Sequence, residues 1–533
     1  INLIAKLSII LFIVFVLTVK AFSQEQIDDI EVIGISPLPG IEIDRNKVPN
    51  ASQSLKETDM NNSTATTIVD LLGEKLTGVT IKDVQNSPFQ KNLDYRGFTA
   101  APLLGESQGL AVYLNGTRIN EGFGDTLQWE LVPEAALTNI DLMSANPVFG
   151  LNALGGSLAL TTKKGLDYLN TDSSIENHFE VGGADWVNGN IELGAGTETQ
   201  GLYVAMENSY DGGWRDNSAG DVKRLFVNYG ILGDNFDYDF TFMNADSNLN
   251  GNGVSPTELL KVRRESVFTW PDFTSNKVYL AASNANFYLE DDSAINTSIY
   301  YRRLIRDTMN ADELDAEECA EDDEDHAEQM EDDFGTADEP ICGEADGSNY
   351  EVLIDQFGNA ISNNDAIRKY GLLNHSSTMT VTWGGSAQYN INTNYLDKMH
   401  NIIVGASIDK TRTAFHSRGE LGQLHNNRTV TNLVNTEGGH ITLESIREHT
   451  GASGGMEDEN ERGDVGSAQL ASKTDYYGIY VNDLFDYDDK TTITLSARAN
   501  LAYVKLYDHL KTSFTRTETN TGSHRYFRVN PAI

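Results

Sequence analysis

Ile493-Thr494-Leu495-Ser496-Ala497-Arg498-Ala499-Asn500-Leu501-Ala502-Tyr503 is the stretch on which the fold turns. Side chains of a strand alternate between two faces, so this segment sends one wholly apolar row to one side. Thr494, Ser496, Arg498 and Asn500, with Ala502, go to the other. In a transmembrane barrel the apolar row faces lipid and the polar row faces the lumen. Tyr238, Phe240 and Phe242 repeat the alternation, as does Ser298 to Leu304. One such strand fits a soluble sandwich equally well; repetition behind an export signal favours the barrel.

That signal is the apolar run Leu7 to Val19 followed by Ala21-Phe22-Ser23, whose small residues precede a cut at Gln24. Residues 1–23 are therefore expected to be a signal peptide, a membrane anchor being the alternative. The run is shorter than a bilayer requires. No second long apolar stretch follows, and only helices or closed barrels satisfy their backbone groups in lipid. Glycine (46), tyrosine (22) and phenylalanine (21) outnumber proline (11), which suits many aromatic strands joined by turns.

A net charge of −40 excludes nucleic acid as a partner, because phosphate binding needs lysine and arginine to displace counterions. Residues 307–346 hold 19 acidic residues and no lysine or arginine. They are expected to form a solvated outer loop rather than a calcium site, since the ordered alternation and central glycine of a calcium loop are missing. Arg302, Arg303 and Arg306 precede this loop and are expected to offset its charge locally. Cys319 and Cys342, the two cysteines, are expected to form a disulfide across it in an oxidising compartment, two free thiols being the alternative.

Near the N-terminus, Ile30-Glu31-Val32-Ile33-Gly34 reads as a short strand with no local partner, of the kind that adds to another protein's sheet edge. Residues 51–165 read as a small α+β domain. Ile68, Leu71, Leu72 and Leu76 share a helical face that Gly78 terminates. Val79 to Ile81, Leu93 to Gly97 and Leu110 to Ile119 read as strands, the last turning at Asn115-Gly116. Pro133 is expected to open a second helix.

Gln85-Asn86-Ser87-Pro88-Phe89, Tyr95-Arg96-Gly97-Phe98, Gln108 to Asn120 and Asn146-Pro147-Val148-Phe149-Gly150 through Gly155-Gly156-Ser157 together resemble the plug domain of TonB-dependent receptors. The resemblance is specific over residues 30–164 and extends as pattern over the whole chain; Gly213-Trp214-Arg215-Asp216 and Tyr477 to Asp483 support it. It departs at Asp141 to Pro147, where many members carry Glu-x-x-x-Gly-Pro. What it implies is an α+β plug domain followed by an antiparallel transmembrane β-barrel, residues 166–533 supplying the barrel's N-terminal part. A 22-stranded barrel is expected of the family. Some 360 residues suit roughly 12 to 16 strands, so the barrel is expected to be incomplete in this chain.

The resemblance further implies that residues 24–50 are a periplasmic segment carrying the TonB box, Ile30, Glu31, Val32, Ile33 and Gly34. TonB, energised from the inner membrane, would grip it. Arg96 and Arg118 are candidate ligand contacts by position, with a structural salt-bridge role as the alternative. The implied location is the outer membrane of a Gram-negative bacterium, and the implied cargo a ferric siderophore or other iron chelate. Cobalamin, heme or an oligosaccharide stay open, as does a passive porin or adhesin barrel. Neither a zinc helix, a P-loop nor a nucleophile elbow occurs, so neither enzyme activity nor a cofactor is expected.

Overall fold

The computed structural model describes residues 32–34, 36–38, 42–48, 51–144, 146–290, 293–314, 316–318, 340–343, 349–355, 360–364, 366–434, 440–450, 468–488, 490–509 and 520–533. The expected signal peptide, Ile30, Glu31, Cys319 and most of the acidic segment lie outside these.

Strand β1 (Val32–Gly34) pairs antiparallel with β2 (Glu42–Asp44), Val32 opposite Asp44. The plug follows as β3 (Ser52–Lys56), α1 (Glu57–Asn61), α2 (Ile68–Lys75), β4 (Val79–Asp83), β5 (Lys91–Tyr95), β6 (Phe98–Ala100), β7 (Leu110–Leu114), β8 (Thr117–Arg118), β9 (Leu137–Ser144) and β10 (Gly156–Thr162). Thr67 caps α2, its hydroxyl accepting from the Asp70 N–H, and Ile68, Val69, Leu71 and Leu72 are buried beneath it. Asn115 and Gly116 take φ of 47° and 83°, the left-handed pair that a tight hairpin between β7 and β8 demands. A β3-β9-β10-β7-β8 sheet and a β4-β5-β6 sheet complete the domain. The helix expected at Pro133 is only a 3₁₀ turn, Glu134–Ala136. It stops because Leu137 enters β9, whose pairing with β10 takes over the backbone donors.

The barrel wall runs β11 (Ser174–Val181), β12 (Val187–Gly196), β13 (Gln200–Asp211), β14 (Gly220–Leu232), β15 (Phe236–Asn250), helix α3 (Thr257–Val262), β16 (Asp272–Tyr288) and β17 (Ala294–Leu314). It continues with β18 (Ala316–Glu318), β19 (Ile341–Gly343), β20 (Asn349–Asp355), β21 (Tyr370–Tyr395), β22 (Lys398–Leu424), β23 (Val430–Asn432), β24 (Thr442–Thr450), β25 (Ala468–Asp488), β26 (Thr491–Asp508) and β27 (Gly522–Ala532). These form one antiparallel 17-stranded sheet in which, among the described residues, β11 and β27 do not pair with each other. No helix among those residues is long and apolar enough to cross a membrane.

The wall's polarity is inverted. On β13, Leu202, Met206 and Tyr210 point outward and are exposed, whereas Glu207 and Ser209 point inward and are buried. β26 repeats this with Leu495 and Tyr503 outside and Arg498 4% exposed inside. Burying charge while exposing leucine is favourable only where lipid lies outside and a packed polar lumen inside. One hydrophobic cluster joins plug residues such as Leu72, Leu110 and Trp129 to wall residues Tyr203, Phe226, Met243 and Leu280, so the plug sits in the lumen.

The acidic segment begins later than charge alone suggested. Residues 307–314 belong to β17, held in register with β21 as far as Leu314 opposite Tyr370. Arg302 and Arg306 do not offset the loop: both face inward, Arg302 onto Glu121 and Arg306 donating to the Pro102 carbonyl at 2.7 Å.

Candidate functional site: the plug and its seams

Between β1 and β2 the chain tucks into the lower end of the lumen. Leu38 is 2% exposed, and its carbonyl accepts from Ser36 Oγ at 2.9 Å and from Gln388 Nε2 on β21 at 3.4 Å. The Asn115-Gly116 turn sits directly against it: a Cβ at Gly116 would lie 3.1 Å from the Pro37 carbonyl and from Leu38 Cδ2. Thus the strand expected to be gripped from the periplasm leads into a segment wedged under the plug.

Higher up, one wall holds the plug by ionic contacts. Arg224 on β14, buried, donates through Nη1 to Glu207 at 2.7 Å, through Nη2 to Glu134 at 3.2 Å and through Nε to the Glu130 carbonyl at 2.6 Å. A guanidinium's forked donors suit three acceptors at once. The Glu130 carboxyl accepts from Asn276 Nδ2 at 2.8 Å and Ser247 Oγ at 3.4 Å, and its second oxygen has no partner. Burial pushes its pKa up to about 7, with Arg306 and Arg224 only partly opposing that rise. Sequence reading passed over Arg224. The available signal was its inward parity between Val222 and Phe226, both buried; Glu207 stands opposite it on the neighbouring strand, but the plug residues Glu130 and Glu134 are roughly 90 positions away and no spacing rule joins them to it.

Because Glu130 binds its proton more tightly when seated than when solvated, that contribution to plug seating is fully present below its ordinary value of 4.5 and is lost as pH rises through about 7. Plug seating should therefore strengthen as pH falls from about 8 to about 5. Hydrogen exchange at β7 and β10, compared across that range with Glu130→Gln, would read it. An unchanged pH response in Glu130→Gln would show that Glu130 is not the titrating group.

At the opposite, upper end, Trp214 Nε1 donates to Asn86 Oδ1 at 3.2 Å, and the Gln85 carbonyl accepts from the Asn252 N–H at 2.8 Å. The guanidiniums of Arg215 and Arg264 lie 5.8 and 5.5 Å from the Trp214 ring. Arg96 is exposed, at φ 53°, with its guanidinium 5.0 Å from the Tyr95 ring. Arg118 is placed differently, ion-paired with Asp125, which also accepts from Asn152. Cys342 is disulfide-bonded. Glu420 gathers Arg418 (2.7 Å), His440 (2.9 Å) and His375 (3.4 Å) near the outer end of β22, yet no set of His, Cys, Asp or Glu among the described residues is arranged to hold a metal.

Residues 44–157 match the family model for the TonB-dependent receptor plug domain. Among solved structures, the chain is similar to the ferric citrate transporter FecA in its unliganded form, with a TM-score of 0.60 at 13% identity, covering 91% of this chain and 60% of that one. It is similar also to the ferric-catecholate import receptor Fiu from E. coli K12 (TM-score 0.60, 10% identity, 94% and 68% covered). A third likeness is to the siderophore receptor PiuA from Acinetobacter baumannii (TM-score 0.60, 12% identity, 91% and 62% covered). The chain thus spans about three fifths of the length of the transporter FecA. No curated protein sequence matches it.

Proposed function

From a chain that carries a TonB-dependent receptor plug domain inside receptor-type barrel strands, we propose an outer-membrane receptor that imports an iron chelate when TonB pulls on residues 30–34. The observation that carries this reading is the wedge. A segment buried under the plug at Leu38, and continuous with β1, converts a pull from the periplasm into displacement of plug contacts. A passive pore has no use for such a connection.

Binding at the outer face is assigned to the plug's upper loops and Arg96, with Arg118 held back by Asp125 until the plug moves. Iron is favoured over cobalamin, heme and oligosaccharide because the similar structures are a ferric citrate transporter, a ferric-catecholate import receptor and a siderophore receptor. No catalytic step is proposed.

Uptake of radiolabelled ferric citrate and ferric catecholates should depend on both the receptor and TonB, with at least a tenfold loss in cells lacking either. Import that persists without TonB would point to a porin. TonB-dependent import of cobalamin alone would keep the mechanism and change the cargo.

A further inference from the structure

The plug is bonded to its two sides unequally. Towards β12–β16, hydrogen bonds and ion pairs cross from plug to wall: Arg224 to Glu130 and Glu134, Asn276 to Glu130, Lys163 to Glu192 at 2.6 Å, and the Gly165 N–H to Asn228 at 2.8 Å. Towards β17, β21, β22 and β25 most polar groups bond within their own wall instead. In the plug, Tyr113 donates to the Phe149 carbonyl and Arg118 pairs with Asp125. In the barrel, Tyr300 donates to Asp409, and the Thr382 and Thr411 hydroxyls share a bond at 3.0 Å. The bonds that do cross here are spread out: Arg302 to Glu121 and Arg306 to the Pro102 carbonyl above, and Arg498 Nη1 to the Val148 carbonyl (3.0 Å), Gln388 to the Leu38 carbonyl and Lys47 to Asp486 (2.7 Å) below.

Two small cavities interrupt the packing on this second side, and they adjoin, sharing Arg118, Leu151, Tyr300 and Asp409 as lining. The upper reaches Arg302, Thr411 and Tyr476; the lower reaches Arg498, Tyr480 and Pro37. Nε of Arg118, Nε of Arg302 and Oε2 of Glu121 are buried here with no partner. Unmade hydrogen bonds are costly, so water entering between the two surfaces offsets much of what parting them loses. The same parting on the opposite wall would strand Glu134 and the Glu130 carbonyl away from Arg224, and Lys163 away from Glu192, a far larger loss.

We infer that the cargo path opens along this seam, between the plug face bearing Arg118 and Glu121 and the wall formed by β17, β21, β22 and β25, with Pro37 and Leu38 as its lower stopper. The inference rests on the transport reading above. Arginine, tyrosine and threonine groups suit a hydrophilic, oxygen-bearing chelate rather than an apolar macrocycle. Tension on β1 would draw the stopper first, exposing the lower cavity before any contact of Arg224 is strained.

Matched cysteines test this in cells importing radiolabelled ferric citrate or a ferric catecholate. Ser407→Cys and Thr382→Cys lie on the seam wall, and Ser247→Cys lies on the bonded wall. A membrane-impermeant maleimide should label both seam cysteines several-fold faster during import than in cells lacking TonB, with Ser247→Cys unchanged. A rise at Ser247→Cys equal to or above that at the seam overturns the inference, as does the absence of any rise at the seam in importing cells. If the unsubstituted receptor imports neither chelate through TonB, the transport reading fails and the seam assignment falls with it.

Discussion

Val32→Pro is expected to abolish energised import while leaving chelate binding at the outer face within about twofold of the parent, since among the described residues β1 pairs with β2 alone. Strand addition works through main-chain donors and acceptors, so proline is damaging where alanine is not: it removes one N–H and restricts the preceding residue. In the resting protein those groups are not idle. Val32, Ile33 and Gly34 stand opposite Asp44, Ile43 and Glu42 in a hairpin, so the proposed mechanism requires TonB either to add to the outer edge of β1 or to displace β2. Ile43→Pro separates these routes, because it weakens the cis partner and leaves the donors of β1 in place. If displacement is the route, Ile43→Pro should bind a TonB C-terminal fragment more tightly and still import. Import by Val32→Pro at the parent's rate would remove residues 30–34 from the mechanism.

Local chemistry carried the sequence reading, and pairing register limited it. The α2 helix was legible because its apolar residues share one face and Gly78 follows its end. The Asn115-Gly116 turn was legible because few residue pairs tolerate two positive φ angles. Ile493 to Tyr503 gave the correct faces, with Arg498 inside. Pro133 misled because a favourable helix start says nothing of the β-strand that begins at Leu137. Residues 307–314 misled because acidity describes solvation, whereas the end of β17 is set by how far β21 continues beside it. Arg302 and Arg306 looked like neighbours of the acidic run; strand parity turned both towards the plug. The meeting of Glu130, Glu134, Glu207 and Arg224 depended on plug placement and strand register together, which no single stretch encodes.

That meeting supports the second large effect. Arg224→Met should loosen the plug by about 3–5 kcal/mol, the range expected when one partner of a buried ion pair is removed and the other charge is left behind. Glu207 is 6% exposed and has no route to water without movement of the plug, whereas Glu134, partly exposed, can rotate outward. The loosened plug should release at lower urea and admit large antibiotics that the parent excludes. Taking away the stranded carboxylate as well should recover most of the loss, because a buried pair exchanged for apolar side chains of similar volume is often neutral. Arg224→Met with Glu207→Leu should therefore release its plug nearer to the parent's urea concentration than Arg224→Met alone. If instead the double variant is as loose as the single one, the guanidinium's bond to the Glu130 carbonyl, and not its charge, is what seats the plug.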